Sequence, residues 1–196
     1  MNAPGGTLRG QKGANCITTR DFVRKDVGEA RWLRFVETLP PEQETLATRK
    51  LSPVEWVDFD HWMALEQRFY DELFGGSYDA YKELTNRIIK HDFNTLYRAL
   101  IKIGSPAHLI ERTAQTYGKF STVGTMSCMK LVKGPSEADP SIVRLEGVPD
   151  LPAIISGIHG AIEGLMELSR AKNPKCWVLK KSGTRDAVTV DFAVVY

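Results

Sequence analysis

The chain has 196 residues, of which 42% are apolar and 26% charged, with a formal net charge of +2. That length buries about 70% of the surface its unfolded form exposes, and the composition is that of an ordinary folded protein, which excludes disordered and fibrous classes. Nucleic acid is not an expected partner, because binding it calls for a strongly basic face.

The cysteines Cys16, Cys128 and Cys176 are odd in number, widely spaced and without C-x-x-C pairing. This argues against a disulfide framework or a zinc ribbon and for a reducing compartment. Met1 to Gln11 is Gly-rich and polar where a signal peptide would be apolar, and no run of about 18 apolar residues occurs that could span a membrane. A cytoplasmic protein is expected.

In chain order, residues 1–16 read as a flexible tail and 17–196 as one α+β domain, with a helical subregion at 18–118 and a sheet subregion at 120–196. From Thr18 the pattern turns helical: Phe22, Val23 and Val27 share one face, Gly28 interrupts, and Trp32, Leu33, Phe35, Val36 and Leu39 form a second stripe before Pro40-Pro41. The basic residues Arg9, Lys12, Arg20, Arg24, Lys25, Arg31 and Arg34, diluted by Asp21, Asp26 and Glu29, read as a solvated face, with a phosphate-binding patch as the sharper alternative.

Ser52-Pro53-Val54-Glu55 has the form of a capping box, so a helix or helical turn is expected to start there. Trp62, Leu65, Phe69 and Leu73 then recur at helical spacing up to the stop signal Gly75-Gly76. Tyr81, Leu84, Ile88 and Ile89 followed by Phe93 to Ile103 predict one long helix or two nearly collinear ones, with a slip near His91-Asp92. Ser105-Pro106 caps another through Tyr117.

The period changes at Phe120. Ser121 to Lys133 and Ile142 to Val148 predict a hairpin, Asp150 opens a helix through Leu168, and Cys176 to Lys181 with Ala187 to Tyr196 predict a second hairpin around Ser182 to Asp186. The fold class is therefore α+β: a helical N-terminal half packed on a C-terminal β-β-α-β-β antiparallel four-stranded sheet.

The helix between the hairpins carries an apolar stripe, Ile154, Ile158, Ala161, Leu165 and Leu168, edged by Gly157, Gly160 and Gly164. Each glycine costs about 0.8 to 1.0 kcal/mol against alanine inside a helix, so something must compensate. Close packing on its own sheet is the first reading. A partner's helix in a homodimer, which would make these glycines interface residues, and the approach of a ligand are the others. Ser156, His159, Glu163 and Glu167 read as a solvated face.

No motif of catalysis or cofactor binding stands in the required context. His61, His91, His108 and His159 are isolated, and there is no H-E-x-x-H, nucleophile elbow, Walker loop or dinucleotide fingerprint. His159 with Glu163, one turn apart, and His91 with Asp92 are the acid-base pairs an unrecognised enzyme would use. Cys128 and Cys176 fall on strands, where a small buried hydrophobe is the default. Met126 and Met129 beside Cys128 suit an adaptable apolar pocket, to which Tyr97 and Tyr117 could add hydroxyls.

The succession of a helical half, a hairpin, a helix and a second hairpin resembles the superfamily of haem-nitric-oxide-binding and 4-vinyl-reductase-type ligand-binding domains, an arrangement shared by the TRAPP vesicle-tethering subunits. Ile17 to Tyr196 resembles more closely an uncharacterised family of roughly 200-residue myxobacterial proteins. It does so through Phe22-Val23-Arg24, Leu39-Pro40, Trp56, Leu96-Tyr97-Arg98, Ser105-Pro106, Ile110-Glu111-Arg112, Tyr117, Gly124, Leu145-Glu146-Gly147 and Gly160.

The resemblance implies ligand or partner binding without an assigned reaction. The haem-binding branch relies on a helical histidine and a Tyr-x-Ser-x-Arg motif. The motif is absent here, and His108 matches the histidine by position only. The sequence thus points to a non-enzymatic binding or regulatory module in bacterial signalling, with a protein partner or homodimer and a small apolar ligand, and with no cofactor or metal. Tyr97, His108, Tyr117, Met126 and Cys128 are its pocket candidates. A haem, tetrapyrrole or lipid sensor is the alternative.

Overall fold

The computed structural model describes residues 9–95, 105–130, 140–169 and 171–196. The fold is α+β. Its helical half comprises α1 (Gly13–Val27), α2 (Glu29–Val36), α3 (Pro41–Thr48), α4 (Phe59–Arg68) running into a π turn at Phe69–Leu73, α5 (Tyr78–Thr95) and α6 (Pro106–Thr116). Strands β3 (Thr125–Lys130), β4 (Ser141–Val148), β5 (Lys175–Thr184) and β6 (Ala187–Val195) form an antiparallel sheet in the order β3-β4-β6-β5, with α7 (Pro152–Leu168) between the two hairpins.

Residues 10–16, expected to lie in a flexible tail, belong to regular structure instead. Gly10–Lys12 forms β1, paired antiparallel with β2 (Trp56–Asp58), and α1 follows at once with Cys16 fully buried. Lys12 N–H donates to the Phe120 carbonyl at 2.7 Å, and Thr122 N–H donates to the Gly10 carbonyl at 2.9 Å, so this strap ties the helical half to the lead-in of β3. Three polar residues carry no alternation by which a strand could be read.

The capping box at Ser52 is half realised. Glu55 does reach back to accept from Ser52 N–H, but a turn leads into β2, and α4 is capped instead by Asp58, whose carboxylate accepts from His61 N–H at 2.9 Å. Asp150 likewise leaves the N-cap of α7 to Leu151 and pairs with Lys181 at 2.9 Å. The second hairpin turns at Arg185-Asp186, tighter than the five residues expected.

Two main cores result. One, within the helical half, gathers Cys16, Val23, Trp32, Phe35, Trp62, Leu65, Phe69, Tyr81 and Leu84. The other lies between the sheet and the helices, with Val143, Leu145, Val190, Phe192 and Val194 against Ile110, Ile155, Ile162 and Met166. Ile154 packs against both, and Ala153 N–H donates to Gln67 Oε1 at 3.2 Å. The sheet-facing stripe of α7 is therefore Ile155, Ile162 and Met166, rotated from the predicted one. A helix apolar nearly all round does not reveal by periodicity which side meets the sheet.

Candidate functional site at the seam between two parallel helices

Gly75 and Gly76, at φ of +63° and +69°, turn the chain sharply out of the π turn and start α5 at Tyr78. Helix α5 then runs parallel to α7 at a constant offset. The Tyr78 hydroxyl meets His159 Nδ1 at 2.9 Å, Lys82 Nζ meets Glu163 at 3.4 Å, and Asn86 Nδ2 donates to Glu167 at 3.0 Å, each pair 81 residues apart. Lys90 Nζ also donates to Glu167, at 2.7 Å.

The glycine edge explains how two helices approach so closely. A Cβ on Gly160 would stand 2.9 Å from the Lys82 carbonyl carbon and inside the shells of the Lys82 oxygen and the Thr85 hydroxyl; one on Gly164 would stand 2.9 Å from the Asn86 carbonyl oxygen. On Gly157 it would make only an ordinary contact, 3.6 Å from Thr85 Cγ2. The edge thus faces a helix of its own chain. Packing on the sheet is corrected, and α5 leaves no room there for a partner's helix.

The solvated face is also corrected. Ser156 is fully buried with its hydroxyl donating to the Pro152 carbonyl at 2.6 Å, and His159 is 7% exposed. His159 Nε2 lies 3.0 Å from the Cys176 carbonyl oxygen on β5 and 3.4 Å from Glu163. A carbonyl only accepts, so Nε2 donates to Cys176, while Nδ1 meets the Tyr78 hydroxyl. One imidazole therefore joins α5, α7 and β5.

These groups are held in their resting states. Burial pushes the Cys176 thiol up to about 12, with the charge of Glu163 adding, and burial raises the Tyr78 phenol well above its ordinary value. At Glu163 burial works upward, but hydrogen bonding from His159 and the charges of His159 and Lys82 outweigh it and hold the carboxyl below the usual range. Protonated thiol and phenol beside a fully bonded imidazole make a poor nucleophile-base set. Among the described residues no three metal-ligating side chains cluster. The buried Asn86 Oδ1 has no hydrogen-bond partner, and Asn86 is 3% exposed.

The sequence-derived candidates separate. Tyr117, Met126 and Cys128 come together against the sheet core, where the Tyr117 hydroxyl donates to the Val123 carbonyl at 3.1 Å. His108 is not with them: it is exposed on the first turn of α6, and its Nε2 accepts from Arg112 Nε at 3.2 Å. Tyr97 lies outside the described residues. Of the two acid-base pairs, His159 with Glu163 belongs to the seam. Its partners Tyr78, Lys82, Asn86 and Cys176 were missed, although the four-residue rhythm Tyr78, Lys82, Asn86, Lys90 matches His159, Glu163, Glu167.

No family model matches the chain, and no curated protein matches it. Solved structures do. An oxygen-binding H-NOX domain related to soluble guanylate cyclases, in its oxygen complex, superposes with a TM-score of 0.67 at 13% identity, covering 94% of each chain. The chain has the H-NOX fold. A structure probing the function of haem distortion in the H-NOX family also gives 0.67 at 13% identity, over 94% of each chain. A further structure, concerned with modulating haem redox potential through protein-induced porphyrin distortion, gives 0.66 at 13% identity, over 94% of this chain and 99% of that one. This overturns the expectation that the chain should be read without a cofactor, because haem is named for structures that share its fold over 94% of its length. Among the described residues of this H-NOX-fold chain, no helix is long and apolar enough to cross a membrane.

Proposed function

We propose that the chain is a non-enzymatic, ligand-sensing regulatory module of H-NOX fold, in which residues from Gly10 onward work as one α+β unit and the α5–α7 seam couples its helical half to its sheet. The bacterial cytoplasm and the uncharacterised myxobacterial family belong to this reading. The observation that carries it is the seam itself: a parallel helix pair packs the halves together, yet it buries an unpartnered amide oxygen at Asn86. Such an atom costs about 1–3 kcal/mol, which opening of the seam would recover. A packed element with a built-in reason to open is what a sensor biases.

Haem is the first ligand to test, since it is named for structures of this fold. As arranged here, the described residues do not fit it. His108 faces outward toward Arg112, both nitrogens of His159 are engaged, and the glycine contact fills the space between α5 and α7. Occupancy would require the seam to part.

Thermal unfolding and hydrogen exchange, measured with hemin and separately with a medium-chain fatty acid, test the proposal. The occupying ligand is expected to raise the unfolding midpoint and to change exchange in Tyr78–Thr95 and Pro152–Leu168 together. Unchanged midpoints and exchange with both probes would contradict small-ligand sensing. If hemin gives a Soret band, its persistence in His108→Ala would exclude His108 as the axial ligand.

A further inference from the structure

Strand β5 lies at the sheet edge and pairs only with β6 among the described strands. Nine of its ten residues are exposed. Trp177, Val178 and Leu179 are 39%, 38% and 54% exposed, three consecutive large apolar side chains left open where most large apolar side chains among the described residues are covered. Leu179 stands in a bulge, where the register with β6 shifts between Val178 and Lys180. Register puts Met129, Ile142, Ala193 and Trp177 in one row on the sheet face turned away from α7.

The charge of this segment of chain is one-sided, and Asp191, the register partner of Lys180 on β6, is paired with Arg144. Residues 172–185 hold Lys172, Lys175, Lys180, Lys181 and Arg185 with no acidic residue, in a chain whose net charge is only +2. Lys181 is paired with Asp150. Lysines and a bulge on an edge strand ordinarily guard against self-association, since a second copy would bring like charge against like. The same lysines do not repel an acidic strand. They attract one, and the open edge supplies main-chain donors and acceptors for it.

We propose that β5 is a docking edge for an acidic, extended segment of a partner protein, which seats apolar side chains on Trp177 and Leu179 and carboxylates against Lys175 and Lys180. Cys176, the residue before Trp177, is the one whose carbonyl His159 holds. The docking edge is therefore one hydrogen bond away from the seam. The surface stands without the sensing reading; only a dependence of docking on ligand would rest on it.

The full chain is titrated with a fluorescein-labelled, end-capped peptide of sequence Glu-Thr-Val-Thr-Phe-Thr-Glu-Thr-Glu, whose apolar and acidic side chains share one face as Lys175, Trp177 and Lys180 do, followed by anisotropy and by backbone amide shifts. Binding is expected to shift the amides of Lys175–Thr184, to weaken with added salt, and to fall about tenfold or more in the double variant Lys175→Glu/Lys180→Glu. Trp177→Ala, which keeps the charge, should also weaken it. The proposal is overturned by a peptide that does not bind at millimolar concentration, or one whose binding ignores the charge reversal. Charge-sensitive binding to phosphatidylglycerol vesicles with none to the peptide would make the strip a lipid-facing surface. Dimerisation abolished by Trp177→Ala, again without peptide binding, would make it a self-interface. Either result also overturns the proposal. Circular dichroism of each variant separates loss of docking from loss of fold.

Discussion

Helix α7 and strand β5 are neighbours joined through His159 and the Cys176 carbonyl, yet nearly everything α7 presents is covered while nearly everything β5 presents is open. Along α7 Gly160 and Gly164 trade helix propensity for contact with α5, and the polar residues beside them find partners across the seam. Along β5 Trp177, Val178 and Leu179 are each more than a third exposed, and lysines flank them. The contrast teaches where change is costly in this molecule. Substitutions at the seam should act on folding, and those at the edge on association.

The largest effect should come at Gly160. Alanine there collides with backbone, which cannot give as a flexible side chain would. Overpacking of this kind should lower stability by about 3 kcal/mol in urea unfolding. Gly157→Ala, with room for its methyl, should be neutral or stabilise by up to about 1 kcal/mol. Equal losses at both positions would break the account of the seam.

Glu66 on α4 comes next. As a residue it is only partly covered, but burial of its carboxyl, against hydrogen bonds from Tyr81 and Trp62, raises it to about 7 from the ordinary 4.5. The folded state therefore holds its proton more tightly than the unfolded one, and stability should fall as pH rises from about 4.5 through 7. Glu66→Gln should remove that slope and be roughly 2 kcal/mol more stable than wild type at pH 8, allowing for the residue's partial exposure. Denaturant titrations across pH 4–9 check it.

Tyr78→Phe deletes the hydroxyl bonded to His159 and should cost about 1 kcal/mol, with faster exchange of the amides at the start of α5. Smallest of all, Leu179→Ser in the exposed bulge should change stability by no more than about 0.5 kcal/mol. A loss there comparable to the one at Gly160 would erase the contrast between the two regions.

Much of the fold could be read from residue order. The alternation of Val188, Val190, Phe192 and Val194, the stop at Gly75-Gly76 and the break at Gly28 all encode local geometry, and the elements formed where those signals lie. The site was far less legible. Gly157, Gly160 and Gly164 announced a close approach but not its partner, because tertiary neighbours 81 residues away leave no mark on local period. His159 looked solvated for the same reason: its burial comes from Tyr78 and β5, not from its own helix. His108 is placed outward by α6, which its helical position alone did not determine.

Hydrogen exchange of wild type and Gly160→Ala, compared peptide by peptide, tests the seam most directly. Coupling of the two halves predicts that protection falls together in Tyr78–Thr95, Pro152–Leu168 and the start of β5. Loss confined to Pro152–Leu168, with α5 as protected as in wild type, would contradict it.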